Sequence, residues 1–187
     1  DQALQMVEAA SEAGIDAIKF QTYKASRIAT RTSEAYWDTS LEPAQNQFEL
    51  FSRFDGFEPD DYRQLFEACQ AHEIMFMTTP FDADCIEWLD DLLSIYKVAS
   101  ADITNFTLLK RIANTGKPIV LSTGASTIGE IEEALAFVKS NGCPQVALLH
   151  CTLSYPTLAQ DANVAAISHL QAAFPESPLG FSVHTVP

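Results

Sequence analysis

The strongest constraint on the fold is a regular alternation of short apolar runs with amphipathic helical segments. The predicted strands are 16–22, 74–79, 94–100, 118–123, 145–152 and 179–185, and the predicted helices are 2–13, 59–72, 83–91, 105–114, 127–140 and 161–173. Strands that alternate with helices at this spacing are typical of βα units, whose strands pair in parallel. The sequence therefore predicts an α/β protein built on a parallel sheet.

Composition limits the classes of partner. The chain has 187 residues, of which 47% are hydrophobic, so it is long enough to bury one core without disulfides. Its formal net charge is −14, from 11 basic and 25 acidic residues. We therefore expect no sequence-independent binding to nucleic acid or to anionic lipid. The sequence has no apolar run of the length, about 18 residues, that marks a membrane span.

The cysteines lack the spacing of a zinc site or a disulfide framework. They are Cys69, Cys85, Cys143 and Cys151, and they lie in apolar or helical patterns. This usage is typical of reduced thiols, so we expect a cytoplasmic protein.

Two lysines lie inside predicted apolar strands. Lys97 is in the middle of the run 94–100, and Lys19 lies in the run 16–22. A buried ammonium must find a partner or lose its charge, so each lysine needs a reason to be there. Either the lysines bind an anion at the strand ends, or their side chains follow apolar surface to solvent.

Polar side chains gather at the C-terminal end of every predicted strand. They are Lys19 and Gln21; Thr78 and Thr79; Lys97, Ser100 and Asp102; Ser122 and Thr123; His150, Thr152 and Tyr155; Ser182, His184 and Thr185. In a closed (β/α) barrel all these ends meet at one mouth, where two lysines and several hydroxyls suit a phosphate or a carboxylate. The alternative is that the hydroxyls only cap the following helices.

The histidines divide into two groups. His184, at a predicted strand end, is the best candidate for a metal ligand or an acid–base group. His72 and His169 lie on predicted helices and are expected at the surface. His150 adjoins Cys151, but neighbours on a strand point to opposite faces, so we expect no joint metal site there.

The connection 23–57 is long, polar and aromatic, with a short helix predicted near 47–53. A loop of this length in a compact domain usually serves as a lid or a binding loop. Asp1 opens directly into a helical pattern without an initiating Met, so we expect the chain to be part of a longer protein.

Six motifs follow one another in an order found in one enzyme family. They are IKFQT at 18–22, TPF at 79–81, YKVASAD at 96–102, GKPIVLSTG at 116–124, LHCT at 149–152 with YP at 155–156, and GFSVHT at 180–185. In these motifs the chain resembles the sialic acid synthases, the family of N-acetylneuraminate synthase and its legionaminate and pseudaminate relatives. The likeness extends over nearly the whole chain.

The resemblance implies a fold and a reaction. Family members are (β/α)8 TIM-type barrels that condense phosphoenolpyruvate with an N-acylated amino sugar and release phosphate, using Mn²⁺ or Mg²⁺. Residues 1–187 would be a single, partial catalytic domain that covers strands two to seven. The first strand, the eighth strand and a C-terminal antifreeze-like domain would lie outside it. The full-length protein would be a homodimer, since in the family a partner subunit's antifreeze-like domain covers the active site.

The resemblance also implies a role for particular residues. Phosphoenolpyruvate would be held by Lys19, Thr79, Lys97, Ser100, Ser122 and Ser182. Gln21 and Tyr155 would contact the sugar, and His184 would be one metal ligand. Lys19 and Lys97 would neutralise the enol phosphate, while Asp102 would position sugar hydroxyls or carry a proton.

The chain departs from the family pattern at three positions. Asp102 stands where some members have Glu, which keeps the charge and shortens its reach. Leu153 stands where a sugar-contacting Asn can occur, and Val183 replaces the Asp that usually lies between the serine and histidine of the last motif.

Two other functions are compatible with the same residues. A Schiff-base aldolase would use Lys97 as its covalent nucleophile, because such enzymes also place a lysine inside a barrel strand. A degenerate barrel kept as a binding or assembly module is the non-enzymatic alternative, and Val183 is the residue that favours it.

Overall fold

All six predicted strands form, and every pairing between them is parallel. The computed structural model describes residues 2–40 and 42–185. The first two strands, β1 (Ala17–Thr22) and β2 (Met75–Pro80), make a two-stranded sheet. The other four make a second sheet in chain order: β3 (Tyr96–Val98), β4 (Ile119–Ser122), β5 (Val146–His150) and β6 (Leu179–Phe181). The predicted parallel α/β architecture is confirmed, whereas closure into a barrel stays a prediction.

Helices separate the strands in the described part of the chain. They are α1 (Gln2–Glu12), α2 (Ala25–Ile28), α3 (Gln47–Ser52), α4 (Pro59–Ala71), α5 (Ile86–Leu89), α6 (Phe106–Ala113), α7 (Ile128–Ser140) and α8 (Ala166–Ala173). A capping box begins α7, because Thr127 Oγ1 accepts from the Glu130 N–H while the Glu130 carboxylate accepts from the Thr127 N–H. Among these helices, none is both long and apolar enough to cross a membrane.

The predicted strands 145–152 and 179–185 are shorter in the structure, as β5 and β6, and three other predicted elements also differ from those observed. The predicted helix 83–91 is broken into α5 with a 3-10 turn on either side, and Asp82 starts the first turn by accepting from the Asp84 N–H. The predicted strand 94–100 is shorter, because Ser100–Asp102 forms a 3-10 turn instead. The predicted helix 161–173 begins only at Ala166, since Asn163 has a φ of 44°, which no right-handed helix accommodates.

The chain divides between Leu93 and Ser94 into two units. In the first unit, aromatic rings pack the two-stranded sheet against α4: Phe20 and Phe76 lie 6.0 Å apart, and Phe66 of α4 lies 6.3 Å from Phe76. Side chains alternate along a strand, so Phe20 and Phe76 lie on the side of the sheet that faces α4. The residues next to each phenylalanine along its own strand lie on the opposite side.

Along β3, β4 and the first part of β5, one face of the second unit's sheet is buried. Its residues there are each at most 2% exposed: Tyr96, Val98, Ile119, Leu121, Val146 and Leu148. Together with the buried residues of α6 and α7, they form the apolar core of this unit. The residues between them belong to the opposite face, which is only partly covered at Val120, Ala147 and Leu149.

Candidate active site

Three of the predicted site residues share one face of the two-stranded sheet. Gln21 pairs with Thr79 in the parallel register, and Lys19 lies two residues before Gln21 on β1. Because side chains alternate, all three point away from the face that carries Phe20 and Phe76. Lys19 and Gln21 are exposed, whereas Thr79 is buried. These three polar residues thus lie on the side of the sheet that the helices of this unit do not cover.

Lys19 and Gln21 line a cavity of about 330 Å³. Its remaining wall is mainly aromatic and includes Tyr23, Phe54 and Phe57 from the connection 23–57. Although Lys19 keeps accessible surface, the surrounding protein desolvates its ammonium and lowers its pKa. The cavity therefore combines a cation, an amide and apolar walls, which are the components of a small-molecule site.

The connection 23–57 is held in place by its own polar contacts. The Lys24 ammonium donates to the Asp55 carbonyl oxygen at 2.9 Å, to the Phe57 carbonyl oxygen at 3.0 Å and to the Glu58 carboxylate at 2.8 Å. The Asp55 carboxylate in turn accepts from the Ala25 N–H at 2.9 Å. These contacts fix the end of the connection, so its aromatic residues present a defined wall to the cavity.

In the second unit, Lys97 lies at the centre of a polar group on the partly covered sheet face. Lys97 pairs with Val120, and Ser122 lies two residues further along β4, so both side chains are on the same face. The Lys97 side chain is only 7% exposed, and its Nζ donates to Ser122 Oγ at 2.5 Å and to the Val98 carbonyl oxygen at 2.6 Å. The prediction of a buried lysine in an apolar strand is confirmed, and for this lysine the alternative of a side chain reaching solvent is wrong.

Ser100 and Asp102 lie in the 3-10 turn that follows β3. Ser100 Oγ accepts from the Gly124 N–H at 2.9 Å and lies 3.1 Å from Cys151 Sγ. Burial raises the pKa of Asp102, and the Asn105 amide, which donates to its carboxylate at 3.0 Å, partly offsets that rise. A carboxyl with a raised pKa beside a strand end is suited to proton transfer.

The last predicted site residues follow β6. The ladder continues past the strand, because the Ser182 N–H donates to the His150 carbonyl oxygen at 2.8 Å. His184 Nε2 lies 3.2 Å from Ser182 Oγ, and the Tyr155 ring meets the His184 ring edge-on at 4.6 Å. His184 and Tyr155 are exposed, whereas Ser182 is half-buried. The structure therefore brings these three together.

Of Ser182, His184 and Tyr155, His184 has the side chain that most commonly binds a transition metal. Within residues 2–40 and 42–185, no group of three or more His, Cys, Asp or Glu side chains could hold a metal. The His184 imidazole could supply one nitrogen, but protein sites for transition metals usually draw on more ligands than one. The metal implied by the resemblance would need further ligands besides His184.

Several strand-end residues do not join the candidate site. The Thr78 hydroxyl lies 2.8 Å from that of Thr22, with which it shares the helix-facing side, and Thr123 Oγ1 donates to the Leu149 carbonyl oxygen at 3.1 Å. His150 stacks on Phe181 at 5.6 Å and bonds to the Ala162 carbonyl oxygen. The expectation that the polar residues at all strand ends meet at one site is therefore wrong for Thr78, Thr123 and His150. Strand alternation places these three on the helix-facing side of their sheets.

The structure also adds two residues that sequence patterns did not select. Gly124 is buried at the end of β4, and a Cβ there would lie 2.9 Å from Cys151 Sγ and 3.0 Å from Ser100 Oγ. For Cys151 the sequence indicates only a reduced thiol, although its position beside a predicted strand end is a usable signal. All four cysteines are free, as expected, and all four are buried.

Comparison with known proteins gives the family. A model of the NeuB family matches residues 6–187. The chain is 35% identical over 188 residues to the N,N'-diacetyllegionaminic acid synthase of Campylobacter jejuni, covering 98% of this chain and 56% of that protein. It is 32% identical over 192 residues to the N-acetylneuraminate-9-phosphate synthase of Mus musculus, covering 98% of this chain and 51% of that one.

A solved structure agrees with these matches. The crystal structure of the N-acetylneuraminic acid synthetase of Leptospira borgpetersenii, in complex with citrate, superposes with a TM-score of 0.82 at 33% identity, covering 98% of this chain and 59% of that one. The chain thus spans between about half and three fifths of the relatives it matches. The family match over residues 6–187, together with these relatives, shows that the chain belongs to the NeuB family.

Proposed function

We propose that this chain forms the central part of a (β/α)8 barrel that condenses phosphoenolpyruvate with an N-acylated amino sugar. The sugar is of the N-acetylmannosamine type, and the product is a nonulosonic acid. Family membership supports this proposal, because relatives are named as synthases of sialic, legionaminic and pseudaminic acids.

One observation carries the proposal at the level of residues. Lys97 is buried, and its ammonium donates to the Ser122 hydroxyl. Both lie on the sheet face that the helices of this unit leave partly open. Burying a cation is costly, so a lysine buried at a strand end needs a reason to be there. A phosphate or carboxylate beside Lys97 and Ser122 would accept charge-assisted hydrogen bonds, which are stronger than bonds between neutral groups.

The other residues have roles that follow from their chemistry. Lys19 adds a second cation, and Thr79, Ser100 and Ser182 add hydroxyls that can donate to phosphate or carboxylate oxygens. Gln21 and Tyr155 are assigned to the sugar. Asp102, with its raised pKa, is the candidate to bind sugar hydroxyls or to move a proton.

The proposed reaction converts phosphoenolpyruvate, the open-chain sugar and water into a keto acid and inorganic phosphate. C3 of phosphoenolpyruvate forms a bond to the aldehyde carbon of the open-chain sugar, which becomes a hydroxyl-bearing carbon. Water adds at C2, and loss of inorganic phosphate leaves the keto acid. A divalent metal, held in part by His184, would polarise the aldehyde oxygen. Lys19 and Lys97 would stabilise the negative charge of the phosphate and carboxylate during these steps.

Phosphate release by the full-length protein tests the proposal. The assay would contain phosphoenolpyruvate, Mn²⁺ and a panel of N-acylated hexosamines, with each sugar omitted in turn. We expect release that depends on one N-acylated sugar, and a matching nine-carbon acid in the product. No sugar-dependent release with any member of the panel would overturn the proposal.

Borohydride trapping separates this reaction from a Schiff-base aldolase. An aldolase would give a reduced pyruvate adduct on Lys97. In the proposed condensation Lys97 binds the anion through hydrogen bonds and forms no covalent bond, so we expect no adduct. The peptide that contains Lys97 would be examined by mass spectrometry after treatment with pyruvate and borohydride.

A further inference from the structure

The ends of three neighbouring strands meet at one serine hydroxyl. Ser100 follows β3, Gly124 follows β4 and Cys151 follows β5. Ser100 Oγ accepts from the Gly124 N–H at 2.9 Å and lies 3.1 Å from Cys151 Sγ. Cys151 is 7% exposed and Gly124 is buried, whereas Ser100 is half-buried and keeps some accessible surface.

The fit around this hydroxyl is tight. A Cβ on Gly124 would approach Cys151 Sγ to 2.9 Å, Ser100 Oγ to 3.0 Å and the Cys151 carbonyl oxygen to 3.1 Å. Contacts shorter than about 3.4 Å require the neighbours to move, so only glycine allows its backbone N–H to reach the serine. The close packing of the Gly124 backbone against Ser100 and Cys151 therefore fixes the distance between the Cys151 thiol and the Ser100 hydroxyl.

Hydrogen-bond counting then restricts what Ser100 can do. A serine hydroxyl has one proton and two acceptor lone pairs. The Gly124 N–H occupies one lone pair. If the Cys151 S–H donates into the other, the Ser100 proton must point elsewhere, and Ser100 acts as a donor. If instead Ser100 donates to Cys151 Sγ, the serine has no proton left for another partner.

An anionic ligand selects the first arrangement. Phosphate and carboxylate oxygens can only accept hydrogen bonds when they are ionised. We infer that the Cys151 thiol is a positioning residue: it donates to Ser100 and so directs the serine hydroxyl as a donor toward the bound anion. This inference rests on the proposed function for the identity of that anion, phosphoenolpyruvate, and it assigns to Cys151 no contact with the substrate itself.

A double-mutant cycle in the full-length protein tests the inference. Dissociation constants for phosphoenolpyruvate and for inorganic phosphate would be measured by calorimetry for wild type, Ser100→Ala, Cys151→Ala and the double variant. One hydrogen bond corresponds to about a threefold to tenfold change in affinity, so we expect Cys151→Ala to weaken binding by that factor. The double variant should bind no more weakly than Ser100→Ala, because Cys151 acts only through the serine.

Two further variants separate hydrogen bonding from packing. Cys151→Ser keeps a donor at this position, so it should bind within about twofold of wild type while Cys151→Ala does not. Cys143→Ala is the matched control: it also removes a buried thiol, one whose partners are the Lys117 and Gln145 carbonyl oxygens, and it should leave the affinity unchanged. Unfolding midpoints of all variants would accompany the binding data.

A direct measurement keeps the inference testable even if Cys151→Ala does not fold. The infrared S–H stretching band of Cys151, assigned by its loss in Cys151→Ser, should lie at the frequency of a donating thiol and remain there when phosphate binds. A non-donating frequency in the bound state would overturn the inference, as would independent, multiplicative effects of Ser100→Ala and Cys151→Ala.

The two ligands distinguish this inference from the proposed function. If wild type binds inorganic phosphate with the expected coupling but does not bind phosphoenolpyruvate, the function is wrong and the positioning role stands. If it binds phosphoenolpyruvate without coupling between Ser100 and Cys151, the positioning role alone is wrong. If it binds neither ligand, both are overturned.

Discussion

The ammonium nitrogen of Lys97 and the hydroxyl oxygen of Ser122 lie 2.5 Å apart on neighbouring parallel strands. The strand register explains this contact. Lys97 pairs with Val120, and Ser122 is two residues beyond Val120, so the side chains of Lys97 and Ser122 lie on the same face of the sheet. A lysine that is 7% exposed has little freedom to turn toward solvent. The pair is accordingly the most sensitive point at which to test the candidate site.

Replacing Lys97 with Met should reduce activity without unfolding the protein. A hydrogen bond to a charged group is worth about 1.5–3 kcal/mol, so kcat/KM for phosphoenolpyruvate should fall by at least about tenfold. The protein should still fold, because methionine fills nearly the same apolar space, and the removed charge offsets part of the loss of the bonds to Ser122 and Val98. Lys139→Met, at an exposed position on α7, is the control and should behave as wild type. A large loss of stability with normal kinetics would indicate a structural lysine instead.

Lys19 should react faster with amine reagents than an ordinary surface lysine. Its pKa is lowered by desolvation, so a larger fraction is unprotonated and nucleophilic at a given pH, and its side chain is still accessible. Acetylation rates of individual lysines, followed by mass spectrometry, would be compared with the rate at Lys139. Phosphoenolpyruvate should slow the reaction at Lys19 but not at Lys139. Equal rates at both lysines would contradict the lowered pKa, and a lack of protection would contradict its place in the site.

Asp102 should make stability depend on pH. Its pKa in the folded protein is raised, mainly by burial, so above the ordinary range of an aspartate the folded state binds more protons than the unfolded chain. Stability is therefore lost as the pH rises through the interval between the ordinary and the raised value. Asp102→Asn should raise the unfolding midpoint at neutral pH and lose that advantage in acid. The exposed Asp91→Asn is the control, and the same gain there would show that general charge reduction is responsible.

Tight Mn²⁺ binding should require more than residues 1–187. His184 is exposed and lies near Ser182 and Tyr155, and the residues that the structure describes contain no cluster of three or more ligands. Calorimetric titration should therefore show tight binding to the full-length protein, lost in His184→Ala, and weak or no binding to residues 1–187 alone. Comparable tight binding to both would mean that ligands within this chain suffice.

Hydrophobic patterning predicted the fold at the level of elements and their direction. Strand positions, parallel pairing and the capping box at Thr127 all follow from local signals that tertiary packing did not override. Where the prediction was wrong, backbone detail was responsible: the left-handed conformation of Asn163 delays α8, and Asp82 starts a 3-10 turn where a helix was expected. Such features depend on single φ angles and side-chain acceptors, which periodicity does not register.

The candidate site was less accessible from sequence than the fold. The alternation of side chains along a strand explains why Lys97 and Ser122 share a face and why His150 lies on the opposite one. Each residue could be assigned to a face only once the strand register was known. The role of Gly124 depends on a distance of 2.9 Å between a hypothetical Cβ and the Cys151 sulfur. A contact between residues so far apart in the chain produces no periodic pattern in the sequence, so it is seen only in the folded structure.

The two faces of the four-stranded sheet have an evolutionary consequence. Val98 and Leu121 belong to the fully buried face that stabilises the unit, whereas Lys97 and Ser122 belong to the face proposed for chemistry. Substitutions on the second face can change the ligand at little expense to folding, because they leave the first intact. A lineage could therefore acquire a new acceptor sugar, or lose catalysis altogether, while the scaffold persists. Among homologous sequences, Val98 and Leu121 should then vary only within apolar residues of similar size, and replacements of Lys97 should mark members that have changed or lost their reaction.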